Sequence, residues 1–397
     1  MSSEPASRTP VLCAGSHREM GVAQGKALAG RIAAARDLLA RLDAFRIPQP
    51  WWLPYPLYLR LAQRRARRLL GRLAAETPEA AERLEGIAAG SGLPLGAIAL
   101  LNLMEAVLSS LSEVTAVPPS AACSAVAVTG ERSSTGEPIL ARNFDYLPVT
   151  SPFYTLRESR PEGEFASIEF TAAPLAGAID GVNEHGLAVT YDYAFARDLP
   201  PGRTPISMAI ARALATCRTV EEAARAIREH PRWGGGLLML ADAGGDIASL
   251  ELANTRAELR RPPGAEGILH HTNCYLTPAL REVEIDGAAV YTDRAPSPLV
   301  GTRPLESPEM RDARLAELLS DRRSLDAARL AAVLADHGPS GVPGDNTLCM
   351  HGCYWSTTAT LLLFPRSQRI RVSFGPACQA RFVDHVLGQA AAPVARR

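Results

Sequence analysis

Apolar residues in the first 115 positions recur at helical spacing, which predicts a mostly helical beginning of the chain. The segments with this period are residues 19–45, 57–75, 79–89 and 95–111. Prolines at 48, 50, 54 and 56 separate the first two, because proline cannot continue a helix. The arginine-rich helix 57–75 is either a solvated surface or, together with the aromatic stretch 51–58, a helix at a membrane surface or over an acyl-chain entrance.

The pattern changes near residue 115, where short apolar runs bounded by Gly, Asp, Asn and Pro begin and predict strands. The predicted strands cover 123–128, 139–142, 166–170, 187–191, 237–241, 248–252, 359–364 and 370–374. Helical patterns lie between them at 206–217, 220–230, 310–319 and 325–335. Groups of strands with helices between them predict sheets covered by helices, in an α/β or α+β layered domain.

Composition narrows the class of protein. The 397 residues include 42 basic and 42 acidic side chains, and 47% of the residues are hydrophobic. A nucleic-acid partner is not expected, because proteins that bind phosphates carry a basic surplus. A single core stops growing near ~250–300 residues. The length therefore predicts either two domains or one large layered domain with an added segment.

The cysteines and the N-terminus indicate a cytoplasmic location. No charged lead followed by an apolar run is visible at the start, and no stretch of about 18 apolar residues predicts an integral membrane segment. The seven cysteines are an odd number spread over a long chain, which favours reduced thiols over a disulfide framework.

Cys349, His351 and Cys353 have a spacing that superficially suggests zinc. Three ligands within five residues, without a second clustered pair nearby, make a poor tetrahedral site. We therefore predict no metal and interpret these cysteines as buried thiols.

Candidate chemistry centres on Cys123, which opens the first predicted strand. About twenty residues later comes Ala-Arg-Asn-Phe-Asp at 141–145, then Gly-Val-Asn-Glu-His-Gly-Leu-Ala at 181–188 and His-Thr-Asn at 271–273. Thr-Leu-Cys-Met-His at 347–351 and Gly-Pro-Ala-Cys at 375–378 follow. In this order the segments resemble the cysteine branch of the N-terminal nucleophile (Ntn) hydrolases, close to acyl-coenzyme A:6-aminopenicillanate acyltransferase. Choloylglycine hydrolase, penicillin V acylase and acid ceramidase are more distantly similar.

The resemblance, which covers most of the chain, implies an α+β fold built as a four-layer αββα sandwich. It also implies self-cleavage between Ala122 and Cys123. Residues 1–122 would form a helical α-chain and residues 123–397 a β-chain, and the two would share one core as a heterodimer, with a higher oligomer left open. A free α-amine has a pKa of about 7.7–8.0, so the new amine of Cys123 could serve as general base for its own thiol.

Roles for further residues follow from the same resemblance. Arg142 would favour the thiolate, Asp145 would hold the α-amine, and Asn273 would donate to the oxyanion. A distal arginine that closes the site would be Arg311 or Arg314, which the sequence does not separate. The second oxyanion donor also stays open. Here relatives carry an Asn, whereas this chain has substrate-binding candidates Tyr191, Asp192 and Tyr193.

The expected activity is cleavage or transfer of the acyl group of an N-acyl amide, through a thioester on Cys123. The partner would be a small-molecule N-acyl amide or acyl thioester. No cofactor is expected, although a coenzyme A thioester could serve as acyl donor or acceptor. Two alternatives remain: an unprocessed Cys–His peptidase that pairs Cys123 with His271 or His185, and an inactive relative that only binds a ligand.

Overall fold

The computed structural model describes residues 9–111, 122–198, 200, 202, 204–264, 266–321 and 323–389. The predicted cleavage site between Ala122 and Cys123 therefore lies at the start of a described range, since residues 112–121 are not described. Within these ranges no helix is both long enough and apolar enough to cross a membrane.

The N-terminal part is helical, as its apolar spacing predicts. Its helices are α1 (His17–Ala27), α2 (Ala29–Leu38), α3 (Asp43–Arg46), α4 (Tyr55–Glu76), α5 (Pro78–Ser91) and α6 (Leu95–Leu111). A capping box between Ser16 and Glu19 starts α1, because each residue satisfies a backbone or side-chain group of the other. The single helix predicted over residues 19–45 is broken at Leu28 and again at a 3-10 turn, Leu39–Arg41.

Helices α1 and α5 touch backbone to backbone. A Cβ on Gly21 would lie 2.3 Å from the carbonyl oxygen of Arg83, and one on Gly86 would lie 2.1 Å from that of Arg18. Only glycine allows this approach. The contact fixes α5 against α1, and α1 follows directly on the first strand of the fold.

Sixteen strands form in the described residues. They are β1 (Val11–Gly15), β2 (Ala122–Val128), β3 (Ile139–Tyr146), β4 (Tyr154–Pro161), β5 (Ser167–Ala172), β6 (Asp180–Asn183), β7 (Ala188–Ala194), β8 (Thr204–Pro205), β9 (Arg232–Trp233), β10 (Gly235–Ala241), β11 (Ile247–Leu252), β12 (Ala257–Arg260), β13 (Ile268–His271), β14 (Ser356–Phe364), β15 (Arg369–Phe374) and β16 (Val383–Val386). The larger sheet has eight strands in the order β1-β4-β5-β6-β7-β10-β11-β12. The second has six, in the order β13-β2-β3-β14-β15-β16, and β8 pairs with β9 alone.

The remaining helices follow the strands. They are α7 (Ile206–Thr216), α8 (Val220–Glu229), α9 (Pro278–Arg281), α10 (Glu306–Leu318) and α11 (Ala327–Leu334). Short 3-10 turns lie at Pro148–Phe153, Ser297–Leu299 and Ala377–Gln379.

The two large sheets face each other across one apolar core. Leu140 and Leu361 of the six-stranded sheet belong to the same buried cluster as Ile168 and Val182 of the eight-stranded sheet. A second cluster packs α7 and α8 on the outer face of the larger sheet. A third packs α10 and α11 on the outer face of the smaller one. The order of layers is helix, sheet, sheet, helix, so the predicted α+β, αββα architecture is confirmed.

Strands inside such a sandwich are covered on both faces, and this explains their sequences. All residues of β10 are buried, and its Gly-Gly-Leu-Leu-Met-Leu-Ala sequence is nearly continuous in apolar residues. The N-terminal part also takes part in the larger sheet, because β1 pairs in parallel with β4, whose first residue is Tyr154. The apolar cluster of the N-terminal helices contains Ala122, Met208 and Trp355 as well.

Candidate active site

Cys123 lies near the start of β2, opposite Phe144 of β3, where the two sheets meet. Its side chain is buried, and it lines the inner end of a cavity of about 390 Å³. Burial raises the pKa of the Cys123 thiol to about 12, although the charge of Arg142 opposes the shift. In the uncut chain the thiol is therefore protonated near neutral pH.

Arg142 of β3 holds the sulfur. Its Nη2 donates to Cys123 Sγ at 3.0 Å, and its Nη1 donates to Asp180 Oδ1. Its Nε lies 3.0 Å from Asp192 Oδ1. All of these side chains are buried, so the guanidinium is fixed by two carboxylates with one arm on the thiol. A fixed positive charge at this position stabilises a thiolate when one forms.

Arg311 of α10 reaches the backbone of the same residue. It donates to the carbonyl oxygen of Cys123, to Ser124 Oγ at 2.9 Å and to Asn273 Oδ1 at 3.0 Å. Arg314, one turn later, instead pairs with Asp336 and Glu317 near the surface. The structure thus brings Arg311 to the site and places Arg314 elsewhere.

Asn273 follows β13 and binds the nitrogen of Cys123. The backbone N–H of Cys123 donates to Asn273 Oδ1 at 2.5 Å, and Asn273 Nδ2 donates to the carbonyl oxygen of Tyr193 at 2.7 Å. An amide nitrogen carries two hydrogens, so one of the two has no use in these contacts. Asn273 therefore touches the atom that would become an α-amine and has a donor to spare.

Asp145 lies opposite Ala122, one position from the pair formed by Cys123 and Phe144. Its Oδ1 accepts from Thr357 Oγ1 at 2.6 Å, while its buried Oδ2 has no hydrogen-bond partner among the described residues. Burial raises the pKa of Asp145 to about 7, against the charge of Arg311 and the Thr357 hydrogen bond. In the uncut chain the nitrogen of Cys123 donates to Asn273. The predicted contact of that nitrogen with Asp145 is not formed in this state.

The predicted substrate-binding residues divide between two environments. Tyr191 and Tyr193 line the cavity, and Tyr193 donates its hydroxyl to Glu105 at 3.0 Å. Asp192 instead lies among the buried charges, near Arg142 and 3.6 Å from His271. Successive side chains on a strand point to opposite faces, which separates Asp192 from its neighbours. Burial raises the pKa of Asp192 to about 8, and Arg142 opposes it.

Neither candidate histidine contacts Cys123 in the described residues. His271 Nδ1 lies 2.8 Å from Ser249 Oγ, and burial holds the pKa of His271 well below its usual range. His185 lies at the turn between β6 and β7, where its ring packs on Phe165 at 4.3 Å. These positions do not favour the Cys–His alternative.

Three residues of the site escaped the sequence analysis: Asp180, Thr357 and Glu105. Asp180 immediately precedes the Gly-Val-Asn segment at 181–183, so its proximity to a recognised motif was the available signal. Thr357 lies in an ordinary strand sequence and gives no signal. Glu105 lies on α6, lines the cavity and accepts a hydrogen bond from the hydroxyl of Tyr193. A charge that interrupts an otherwise apolar helix was the cue for Glu105.

The cavity in front of Cys123 is mostly apolar. Its walls come from the helical N-terminal part, from β3 and from the start of α7. Apolar side chains that line it include Leu38, Leu39, Leu42, Leu101, Met104, Leu108, Phe144 and Ile206. Trp51 and Trp52 are 96% and 65% exposed and are not among its lining residues. The cavity can therefore accommodate an apolar group whose carbonyl carbon reaches the sulfur.

Comparison with known proteins gives one family. The model of the acyl-coenzyme A:6-aminopenicillanic acid acyl-transferase family matches residues 132–336, slightly more than half of the chain. The match contains Arg142, Asp145, Asn273 and Arg311 and begins nine residues after Cys123. No curated protein matches the sequence.

Solved structures resemble the chain at low sequence identity. A Caenorhabditis elegans ortholog of N-acylethanolamine-hydrolyzing acid amidase is 15% identical, covers 62% of this chain and 93% of its own, and has a TM-score of 0.42. A mutant conjugated bile acid hydrolase from Clostridium perfringens is 14% identical over 67% of this chain and 92% of its own, with a TM-score of 0.40. Penicillin V acylase from Agrobacterium tumefaciens is 15% identical over 67% of this chain and 87% of its own, also with a TM-score of 0.40. These likenesses are too distant to assign a role to any residue.

Proposed function

The chain belongs to the acyl-coenzyme A:6-aminopenicillanic acid acyl-transferase family of acyl-transferring and amide-cleaving Ntn enzymes, and we propose that Cys123 is its self-released nucleophile. The observation that carries the proposal is the pair of contacts at this one residue. Arg142 holds its sulfur at 3.0 Å, while Asn273 holds its nitrogen at 2.5 Å. Both reacting atoms of an N-terminal cysteine thus have a dedicated partner at the end of an apolar cavity.

Maturation begins when the thiol of Cys123 attacks the carbonyl carbon of Ala122. The C–N bond between the two residues breaks, a thioester forms, and the proton of the thiol ends on the nitrogen. Water then hydrolyses the thioester, which leaves a carboxylate on Ala122 and a free amine on Cys123. The products are chains of 122 and 275 residues, held together by the core that they share.

Turnover uses the new amine as general base. The amine takes the proton of the thiol, and the sulfur attacks the carbonyl carbon of an N-acyl amide in the cavity. The spare hydrogen of Asn273 Nδ2 donates to the oxyanion, and the protonated amine returns a proton to the leaving group. Water, an amine or a thiol such as coenzyme A then accepts the acyl group from Cys123. The apolar walls support an apolar acyl group as substrate.

Intact-mass measurement of the purified protein tests the proposal. We expect two fragments of roughly 13 and 29 kDa from the 42.4 kDa chain in the wild type, and one full-length chain in the Cys123→Ala variant. Cys13→Ala is the matched control, because Cys13 is also a buried cysteine near two arginines and should leave processing intact. An activated acyl ester should then label Cys123 as a thioester, and a panel of N-acyl amides of different chain lengths should identify the acyl group.

Three results would contradict parts of this proposal. A full-length wild-type protein that turns over amides would overturn the α-amine mechanism. Normal maturation together with loss of activity in His271→Ala would favour the Cys–His alternative. Absence of any acyl adduct on Cys123 would leave a protein that only binds its ligand.

A further inference from the structure

Four side chains that can bind a metal converge on the outer side of the smaller sheet. They are His337 after α11, Cys349 and His351 in the loop before β14, and Cys378 in the 3-10 turn after β15. One potential ligand atom from each lies within 4.8 Å of the others. Cys353, which the spacing had suggested as a ligand, is not in the group, and its backbone N–H donates to Asp345 at 3.0 Å.

The spacing of these atoms agrees with a tetrahedral zinc site. His351 Nε2 lies 3.4 Å from Cys349 Sγ and 3.4 Å from Cys378 Sγ. Zinc bonds of 2.3 Å to sulfur and 2.0–2.1 Å to nitrogen place S and N about 3.6 Å apart at the tetrahedral angle. The ring of His337 stands edge-on to that of His351, with centroids 5.3 Å apart. The two S–N distances are about 0.2 Å shorter than the tetrahedral value, and the widest separation in the group, up to 4.8 Å, would have to shorten by about 1 Å to bring all four ligands onto one ion.

A second observation points to a missing ligand. Nε2 of His337 is buried and has no hydrogen-bond partner among the described residues. A buried polar atom of this kind normally has a partner, because leaving it unpaired costs about 1–3 kcal/mol. A metal ion within the group would supply one.

The surroundings hold the ligands in place. Cys349 donates its backbone N–H to the carbonyl oxygen of Asp336, next to His337, and Arg314 binds the carboxylate of Asp336 at 2.9 and 2.8 Å. The backbone N–H of Cys378 points at Cys349 Sγ at 3.4 Å. Such outer contacts orient metal ligands and stabilise thiolates.

We propose that His337, Cys349, His351 and Cys378 bind a structural Zn²⁺ ion that joins α11, the loop before β14 and the turn after β15. Two thiolates and two imidazoles form a ligand set that zinc prefers, and four protein ligands leave no open position for a catalytic water. The ion would therefore stabilise the fold and take no part in the chemistry at Cys123.

The same loop reaches the candidate active site. Met350, between two of the ligands, donates its backbone N–H to Thr357 Oγ1 at 2.8 Å, and Thr357 Oγ1 donates to Asp145 at 2.6 Å. Zinc would thus also position the Thr357 hydroxyl that donates to the Asp145 carboxylate. This consequence depends on the geometry alone and holds whether or not Cys123 is the nucleophile.

Metal analysis of the full-length protein, purified under reducing conditions and dialysed, tests the proposal. We expect about one zinc per chain, and a loss of most of it in Cys378→Ser and His337→Ala. Cys353→Ser is the matched control, because it removes an exposed cysteine from the same loop and should keep the zinc. Replacing zinc with Co²⁺ in the wild type should give the thiolate-to-metal and visible absorption bands of a tetrahedral Co²⁺ site. This second readout needs no variant to fold.

Three outcomes would overturn the proposal. One is a wild-type protein that contains no zinc and gives no tetrahedral Co²⁺ spectrum. A second is a disulfide between Cys349 and Cys378, found by peptide mass mapping in metal-free protein purified without reductant, if that protein also takes up no zinc after it is reduced. Loss of zinc in Cys353→Ser to the same extent as in Cys378→Ser would equally reject this ligand set.

Discussion

The structure contains two fully buried arginines that each pair with buried carboxylates: Arg157 on β4 and Arg142 on β3. They differ in how many of their N–H groups donate hydrogen bonds. Arg157 donates to Glu169, to Gln24 and to three backbone carbonyl oxygens. All five of its N–H groups are therefore used. Arg142 donates hydrogen bonds to Asp180 and to the sulfur of Cys123, whereas its Nε forms an ion pair with Asp192 Oδ1 at 3.0 Å but no aligned hydrogen bond among the described residues.

The acidic partners show the same contrast. Both carboxylate oxygens of Glu169 accept hydrogen bonds, from Arg157, Ser159 and Ser167. Neither oxygen of Asp192 accepts an aligned hydrogen bond within the described residues, although Oδ1 has an ion pair with Arg142 Nε at 3.0 Å. A saturated buried cluster fixes structure, whereas a cluster with unused hydrogen-bonding capacity beside a cavity can bind a further group. Unused capacity, more than burial or charge, therefore separates the candidate active site from the structural cluster.

Two buried asparagines should show the largest difference between a group with unused hydrogen-bonding capacity and a saturated one. Among the described residues Asn273 uses one of its two amide hydrogens, whereas Asn183 donates to two carbonyl oxygens and accepts from two N–H groups. We expect Asn273→Ala to lower kcat by about 10²–10³, as loss of an oxyanion donor does, with little change in KM. Asn183→Ala should instead lower the free energy of unfolding by about 1–3 kcal/mol and leave kcat per folded molecule unchanged. Equal losses of kcat in both variants would remove the distinction.

The two arginines themselves give the next largest effect. Arg142→Lys keeps the charge but cannot reach the thiol and both carboxylates, so we expect kcat to fall about 10–10²-fold, the equivalent of one charged hydrogen bond. Arg157→Lys should cost about 3 kcal/mol of unfolding free energy, because three donors replace five, and should not affect kcat. Urea unfolding and steady-state kinetics on the processed protein measure the two. A kcat effect for Arg157→Lys as large as that for Arg142→Lys would be the contrary result.

A smaller difference is expected within α10. Arg311 binds the carbonyl oxygen of Cys123, and Arg314 binds surface carboxylates. Arg311→Lys should slow fragment appearance about tenfold in a time course of maturation, since one charged hydrogen bond at the scissile residue is weakened. Arg314→Lys should mature at the wild-type rate, because partly exposed ion pairs contribute little. Slower maturation in Arg314→Lys alone would reverse this assignment.

The same helix shows where sequence reasoning reaches its limit. Residues 311 and 314 are one turn apart with nearly identical surroundings in sequence, so only the packing of α10 on β2 distinguishes them. Strands such as β10 and β14 were predicted because burial on both faces gives them long apolar runs. Strand β4 was missed, because Arg157 and its polar neighbours resemble a loop until their buried partners are known.

Long-range pairing limits prediction in two more places. Strand β1 has five residues, and its partner lies on β4, far along the chain. Cys349 and His351 are separated by one residue in sequence, but Cys378 and His337 join them only through the fold. At the candidate active site, by contrast, the order of short motifs indicated Cys123, Arg142, Asp145 and Asn273, and the structure places all four around the start of β2.

The smallest expected effect is in the pH dependence of the free energy of unfolding. Asp145 and Asp384 should change it in opposite directions, because the pKa of Asp145 is raised and that of Asp384 is lowered. Burial raises the pKa of Asp145 from 3.8 to about 7, so its favourable contribution is complete below pH 3.8 and is lost as the pH rises through about 7. In the uncut Cys123→Ala background, Asp145→Asn should therefore gain stability relative to its parent between about pH 4 and pH 7, and the gain should level off above that. Arg371 lowers the pKa of Asp384, so Asp384→Asn should lose stability at neutral pH and approach its parent as the pH falls below 3.8. Urea unfolding across this pH range measures the free energy of unfolding of each variant relative to its parent. If this difference does not change with pH for Asp145→Asn, the Asp145 carboxylate has a partner in solution that satisfies it, as Arg157 satisfies Glu169.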